Sequence, residues 1–169
     1  PPDKEDIAPY LKVSHLLAEC EVHVPEIEAA DTVRGLVLLE DLGTTHVLAR
    51  LRSGADPQSL YGPALDALLR IQVHGQRGAM QLPPYDRAVL LREMQLLPDW
   101  FLMRHLQLAP DDAATLLLAD TMEWLAREIL QQPVVLVHRD YHSRNLMVTA
   151  DRNPGIIDFQ DAVCGGLTY

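Results

Sequence analysis

The sequence predicts an α+β fold, on three observations. Long stretches with apolar residues at helical spacing fill the middle of the chain. Short apolar runs with strand character lie at residues 36–39 and again after Pro133. The later runs follow one another through turn residues instead of alternating with helices, which excludes a parallel βαβ sheet.

Each element has a local reason. Asp3 is placed to cap a first helix over residues 3–19, where Ile7, Leu11, Ser14, Leu17 and Ala18 keep helical spacing. Residues 20–30 read as short extended pieces around Pro25, and residues 33–35 as a turn. Leu36-Val37-Leu38-Leu39 is an unbroken apolar run, the pattern of a buried strand, stopped by Glu40-Asp41-Leu42-Gly43. Asp56-Pro57 starts a helix, with Asp as cap and Pro at the first position. It runs to about His74, with Leu60, Leu65, Leu68, Leu69 and Ile71 apolar, and residues 75–84 read as a loop. A helix over 85–97 is predicted to break at Pro98 and resume over 100–108. Pro110-Asp111-Asp112 opens a long helix to about Gln132, carrying Leu116, Leu117, Met122, Leu125 and Ile129. Trp100 and Trp124 are expected to pack between helices. Residues 134–137, 146–148 and 156–159 are the final strands, with a turn at 151–155.

The 169 residues suffice for one core or two small lobes. A composition 48% hydrophobic and 22% charged describes a globular chain, not a disordered one. Fourteen basic against 24 acidic residues give a net charge of −10. That excludes sequence-independent binding to nucleic acid or to an anionic membrane, both of which need basic patches. No apolar run approaches the ~20 residues of a membrane span, and residues 1–19 do not read as a signal peptide. Cys20 and Cys164 are expected as inert free thiols in a reducing cytoplasm. His15, His23, His46, His74 and His105 are scattered, and surface or helix positions are expected for them. The chain starts on Pro1-Pro2 without Met and stops at Tyr169 shortly after a Gly-Gly pair, so both ends read as cut, either in a processed chain or in a fragment of a larger protein.

The chemistry concentrates in residues 134–161. His138-Arg139-Asp140, four residues and Asn145 lie between two apolar strands, and Asp158 ends a third. A loop between strands can hold Asp140 and Asn145 on one side, and a hairpin returning through residues 153–155 can bring Asp158 beside them. Two carboxylates and an amide oxygen then converge. Hard oxygen ligands suit Mg²⁺, which takes one or two carboxylates plus substrate phosphates. One carboxylate left off the metal can accept the proton of an attacking hydroxyl, the arrangement of phosphoryl transfer. A competing reading takes His138, Asp140 and His142, alternating along extended chain, as a zinc or dinuclear hydrolase site. It leaves Asn145 and Asp158 without a role.

H-R-D-x-x-x-x-N followed by I-I-D-F resembles the catalytic and metal-binding loops of the protein-kinase-like fold. The extra His in H-R-D-Y-H-S-R-N resembles the aminoglycoside phosphotransferase and choline kinase branch, which phosphorylates hydroxyls of small molecules. L-V-L-L-E-D-L-G over residues 36–43 is similar to the interlobe hinge of that branch. Residues 8–25 and 156–169 are most similar to bacterial cell-wall sugar kinases, which act at the anomeric hydroxyl of N-acetylmuramate and N-acetylglucosamine. The resemblance implies a mainly helical large lobe over residues 44–169, incomplete at its C-terminal end, and a small-lobe remnant with hinge over residues 1–43. It implies ATP and Mg²⁺ as cofactors, a sugar or an aminoglycoside as substrate, and a cytoplasmic location. By position, Asp140 becomes the catalytic base, and Asn145 and Asp158 become the metal ligands. His138 braces the loop, His142 lies on the substrate side, and Glu40 and Leu42 offer backbone contacts to adenine. Asp161 is weighed as a substrate contact against a solvated or capping role.

Three departures qualify the match. No Gly-rich phosphate loop is present. The only lysines, Lys4 and Lys12, fall within the predicted first helix and not on a predicted strand. Asp158 is followed by Phe159-Gln160 rather than Phe-Gly, so no mobile activation segment is expected. The chain alone is therefore expected to be inactive, and a catalytically silent nucleotide-binding piece is the alternative to an enzyme.

Overall fold

The structure, a computed structural model, describes residues 6–169; the expected Asp3 cap lies outside them. Two compact units emerge. One comprises the chain up to Pro83 together with Val135–Cys164, and the other comprises Pro84–Val134 with Gly165–Tyr169.

In the first unit, helix α1 spans Ala8–Glu19. Asp6 Oδ1 accepts from the Ala8 N–H at 2.9 Å, and the helix buries Val13, Leu16 and Leu17. Strands β1 (Ile27–Asp31) and β2 (Leu36–Leu39) form an antiparallel hairpin, with Ile27 opposite Leu39 and Asp31 opposite Leu36. The apolar run of β2 is not a buried strand: Leu36 and Leu38 are 60% and 63% exposed. Side chains alternate across a strand, so one face of this two-stranded hairpin takes Leu36 and Leu38 while Val37 and Leu39 share the other. Helix α2 (Val47–Arg52), not predicted, is anchored by buried Val47. Helix α3 (Pro57–His74) starts as expected, with Asp56 Oδ2 accepting from the Ser59 N–H at 2.9 Å. It buries Leu60, Ala64, Ala67 and Ile71 and leaves Leu65 and Leu69 exposed. The expected loop after it contains a short helix, α4 (Gln76–Ala79).

Strand β3 (Val134–Val137) pairs with β6 (Val163–Gly166), which was not predicted. Strands β4 (Leu146–Met147) and β5 (Gly155–Ile156) form a tight hairpin, Leu146 opposite Ile156. The predicted strand over 156–159 ends early because Asp158 adopts a left-handed backbone, φ +65°. Leu17, Ile71, Leu136, Leu146, Ile156 and Phe159 are fully buried. Phe159 stacks on Tyr10 at 4.8 Å between ring centroids. The residue after Asp158 is thus a core anchor, which fixes the chain beside the site.

In the second unit, α5 (Arg87–Met94) is capped by Asp86 and α6 (Asp112–Leu130) by Asp111. Pro98 does not break the helix. The chain continues as a π-helix over Leu97–His105. Pro98 has no N–H to donate, and the coil widens until the Leu106 N–H reaches Phe101 C=O at 2.9 Å. The two tryptophans are not core residues. Trp100 lies under the Arg104 guanidinium, 4.0 Å from its ring centroid. On α6 the buried residues are Met122 and Ala126. Trp124, two residues from each, points about 200° away from them and is half exposed. No helix among the described residues is long and apolar enough to cross a membrane.

Candidate active site

The loop between β3 and β4 is organised around His138, which is 3% exposed. Its Nε2 lies 3.1 Å from Ile157 C=O, and its Nδ1 lies 3.3 Å from the Asp140 N–H. A carbonyl only accepts and an amide N–H only donates, so Nε2 carries the proton and Nδ1 offers its lone pair. The ring is the neutral tautomer, spent on both sides. Both ring nitrogens are committed to backbone partners at Ile157 and Asp140, which leaves no lone pair for a metal. That takes His138 out of the ligand set that the hydrolase reading needs.

Burial pushes the His138 pKa below the ordinary imidazole value. The hydrogen bond to Ile157 and the carboxylates of Asp140 and Asp158 pull the other way without winning. The unfolded chain therefore binds more protons at this residue than the folded one as pH falls below about 6.5. Stability should drop on acidification through that value and below, and be unaffected by His138 above it. We expect the melting temperature to fall between pH 7.5 and 5.5, less steeply in His138→Asn. Equal slopes would remove His138 from the acid sensitivity.

Asn145 joins the loop to the hairpin. Its Nδ2 donates to Asp140 C=O at 3.1 Å and to Asp158 Oδ2 at 3.0 Å. Both partners are acceptors, which fixes the amide orientation and turns Oδ1 away from them. The loop backbone repeats the connection. The His142 N–H donates to Asp140 C=O at 3.0 Å, the Asn145 N–H to His142 C=O at 2.8 Å, and the Ile157 N–H to Asn145 C=O at 3.1 Å. Tyr141 OH donates to Ala64 C=O at 2.6 Å, tying the loop to α3. Its burial pushes the phenol pKa up.

The predicted trio is thus brought together: Asp140 and Asn145 on the loop, Asp158 on the hairpin. Asp140 and Asp158 are exposed and Asn145 is half-buried. Arg139 (φ +73°) and Asp158 (φ +65°) both occupy the left-handed region. Such a conformation costs a non-glycine residue about 1–2 kcal/mol, a form of strain that clusters at functional sites. Gln160, overlooked in the sequence, donates from Nε2 to Asp158 Oδ1 at 2.9 Å. Each Asp158 oxygen is held by one amide, and the Gln that replaces Gly has a visible use. His142 is exposed and enters the cluster through its backbone. Asp161 is exposed.

Glu40 and Leu42 line a separate cavity of about 410 Å³ with His23, Gly43, Thr149 and Asp151. The Glu40 N–H is committed to Glu26 C=O at 2.9 Å. Its carboxylate accepts from the Glu26 N–H at 3.2 Å and meets His23 Nε2 at 3.3 Å. The Glu26 N–H holds the Glu40 carboxyl below the usual carboxylate range; burial opposes this, and His23 and Arg152 assist it. His23 is not on the surface, as its isolation in the sequence suggested, but 8% exposed. Its partner atom on Arg152 is 129 residues away in the chain, so no local pattern could mark it. Lys12 is committed to Gln81 C=O. The Cys20 thiol is pushed up to about 11, first by burial and then by Glu19, as befits an inert thiol.

Residues 1–169 match the model of the phosphotransferase enzyme family. Several curated relatives carry the name N-acetylmuramate/N-acetylglucosamine kinase. The one from Pseudomonas aeruginosa is 47% identical over 169 residues, covering 100% of this chain and 49% of the relative. Those from Pseudomonas putida and Neisseria meningitidis serogroup B are 44% and 41% identical, each covering 100% of this chain and 49% and 50% of the relative. The chain spans about half the length of the curated relatives it matches. Among solved structures, the streptomycin–ATP ternary complex of APH(2'')-IIa superposes with a TM-score of 0.57 at 15% identity, covering 94% of this chain and 55% of that one. The ADP-bound aminoglycoside phosphotransferase APH(2'')-Ib gives 0.53 at 16%, with the same coverage. At these identities the likeness concerns the fold, and it agrees with the α+β, kinase-like architecture implied by the motifs. A loop and hairpin locked together at Asn145, within a chain matched from its first residue to its last, place this protein in the phosphotransferase enzyme family.

Proposed function

We propose that this chain carries the catalytic loop and metal-binding hairpin of a cytoplasmic, ATP-dependent kinase that phosphorylates a hydroxyl of an amino sugar, N-acetylmuramate or N-acetylglucosamine. One observation carries the reading: the Asn145 amide holds the Asp140 backbone and the Asp158 carboxylate at once. The names of the similar kinases support the acceptor class. The division into a small-lobe remnant over residues 1–43 and a large lobe over 44–169 belongs to this proposal.

In this reading Asp140 orients the acceptor hydroxyl and takes its proton as the oxygen attacks the γ-phosphorus and ADP leaves. Asn145 Oδ1 and the Asp158 carboxylate would hold Mg²⁺. One carboxylate and one amide oxygen form a hard donor set that leaves room for substrate phosphates, so the residues fit the ion. Bound there, Mg²⁺ supplies positive charge against the phosphates, which a chain of net charge −10 needs. Glu40 C=O and the Leu42 N–H take the adenine edge, and His142 and Asp161 face the acceptor. Most of the acceleration comes from positioning and preorganised charge.

The test is phosphate transfer from ATP by the full-length protein, with N-acetylmuramate, N-acetylglucosamine and a set of aminoglycosides as acceptors. We expect Mg²⁺-dependent transfer to the amino sugars. Transfer to aminoglycosides alone would replace the acceptor, and ATP binding without transfer to any acceptor would leave only a nucleotide-binding protein.

A further inference from the structure

We propose that His23 is a positioning residue for the nucleotide base, locking residues 40–43 onto the β4–β5 hairpin. The proposal rests on the kinase reading, in which Glu40 and Leu42 meet adenine.

His23 is held from every side. Its main chain bridges in parallel to Gly155 on β5, and its C=O accepts from the Ile156 N–H at 2.7 Å. Its ring spans two acceptors: Nδ1 lies 2.9 Å from Arg152 C=O and Nε2 lies 3.3 Å from Glu40 Oε1. The circuit closes through the neighbours. Arg152 reaches Glu26 Oε1 at 3.3 Å, and the Glu26 N–H donates to Glu40 Oε2 at 3.2 Å. Four residues from three separate segments thus form one ring of polar contacts, with a nearly buried imidazole as the link between the end of β2 and the turn at residues 151–154.

A second contact fixes the same segment. A Cβ added to Gly155 would lie 2.7 Å from Leu42 Cδ1 and 3.1 Å from Thr149 Cγ2. Gly155 therefore admits Leu42 to a closeness that a side chain would forbid. The apolar contact seats Leu42 on the hairpin, and the polar one seats Glu40. Together they set the position of the backbone at residues 40–42 relative to Thr149 and Asp151, which line the same cavity. Binding of a planar base by main-chain hydrogen bonds tolerates little error in that position, because such bonds weaken outside about 2.7–3.2 Å.

The consequence falls on nucleotide recognition alone. His23 belongs to neither the Asp140 loop nor the acceptor side. Its removal takes away the imidazole seated between Arg152 C=O and Glu40 Oε1 and lets residues 40–42 move on the hairpin. In the full-length protein, His23→Ala should raise KM for ATP about tenfold, the effect of losing one charge-assisted hydrogen bond. It should also narrow the preference for ATP over GTP, with kcat and sugar KM within about twofold of wild type. His23→Gln, whose amide has two N–H groups to share between the same acceptors, should recover most of the ATP affinity. If His23→Ala does not fold, His23→Asn, too short to span both acceptors, takes its place. A wild-type protein that transfers no phosphate overturns the kinase reading itself. With wild type active, unchanged KM for ATP in the Ala or Asn variant overturns the positioning role. So does a joint loss of kcat, sugar affinity and melting temperature, which would mean that His23 only holds the fold.

Discussion

Asp140→Asn in the full-length protein should lower kcat by about 10²–10⁴-fold, the range for removing a general base, and leave the Kd for ATP within about twofold. The reason lies in how this residue divides its work. Its backbone is structural: the N–H donates to His138 Nδ1, and the C=O accepts from Asn145 Nδ2 and from the His142 N–H. Its carboxylate is exposed. Asn keeps the backbone, the volume and the tolerance for this loop but cannot take a proton. The scaffold that holds Asn145 and Asp158 survives, so nucleotide binding should survive with it. Steady-state ADP release would give kcat, and calorimetry with ATP would give Kd. A variant that keeps more than about a tenth of wild-type turnover would remove Asp140 from the base role. A variant that loses ATP binding equally would show that the substitution had disturbed the loop and not the chemistry.

The site was legible in the sequence where its parts are close along the chain. The spacing from Asp140 to Asn145 fits one loop, and the run from Gly155 to Asp158 fits one strand end, so the residue types announce themselves. The helix caps at Asp56, Asp86 and Asp111 are local in the same sense. Contacts made across the fold were not legible. His23 acts on Glu40 and on Arg152, and Gln160 reads as a departure from a motif until its amide is seen on Asp158. An unbroken apolar run is ambiguous between a strand covered on both faces and one edge of a small hairpin; β2 is the second. Pro98 was over-read for a related reason. A missing N–H forbids one α-helical bond, but a helix can answer by widening its turn instead of stopping.

Asp158 separates metal binding from proton transfer, and its loss should act on the opposite kinetic constant. Asp158→Ala should raise KM for Mg·ATP by roughly 100-fold, the upper end for disturbing a metal's protein shell, and move the midpoint of Mg²⁺ activation upward. The Ala variant carries a second burden. At φ +65° it puts a Cβ in a left-handed backbone without the local polar bonding that eases this for Asp or Asn. It also deprives Asn145 Nδ2 and Gln160 Nε2 of an acceptor. Asp158→Asn resolves the two effects, since Asn tolerates the left-handed conformation and retains one acceptor oxygen while losing the charge. If the carboxylate serves as a metal ligand, both variants lose Mg·ATP and only the Ala variant also loses melting temperature. If Asp158 serves only to hold Asn145, the Asn variant keeps wild-type metal dependence, and the ligand assignment is wrong. Asp140→Asn, by contrast, should leave the Mg²⁺ midpoint where it is. The pair of variants therefore tests whether the Asn145 bridge joins two distinct chemical roles or one undivided acidic cluster.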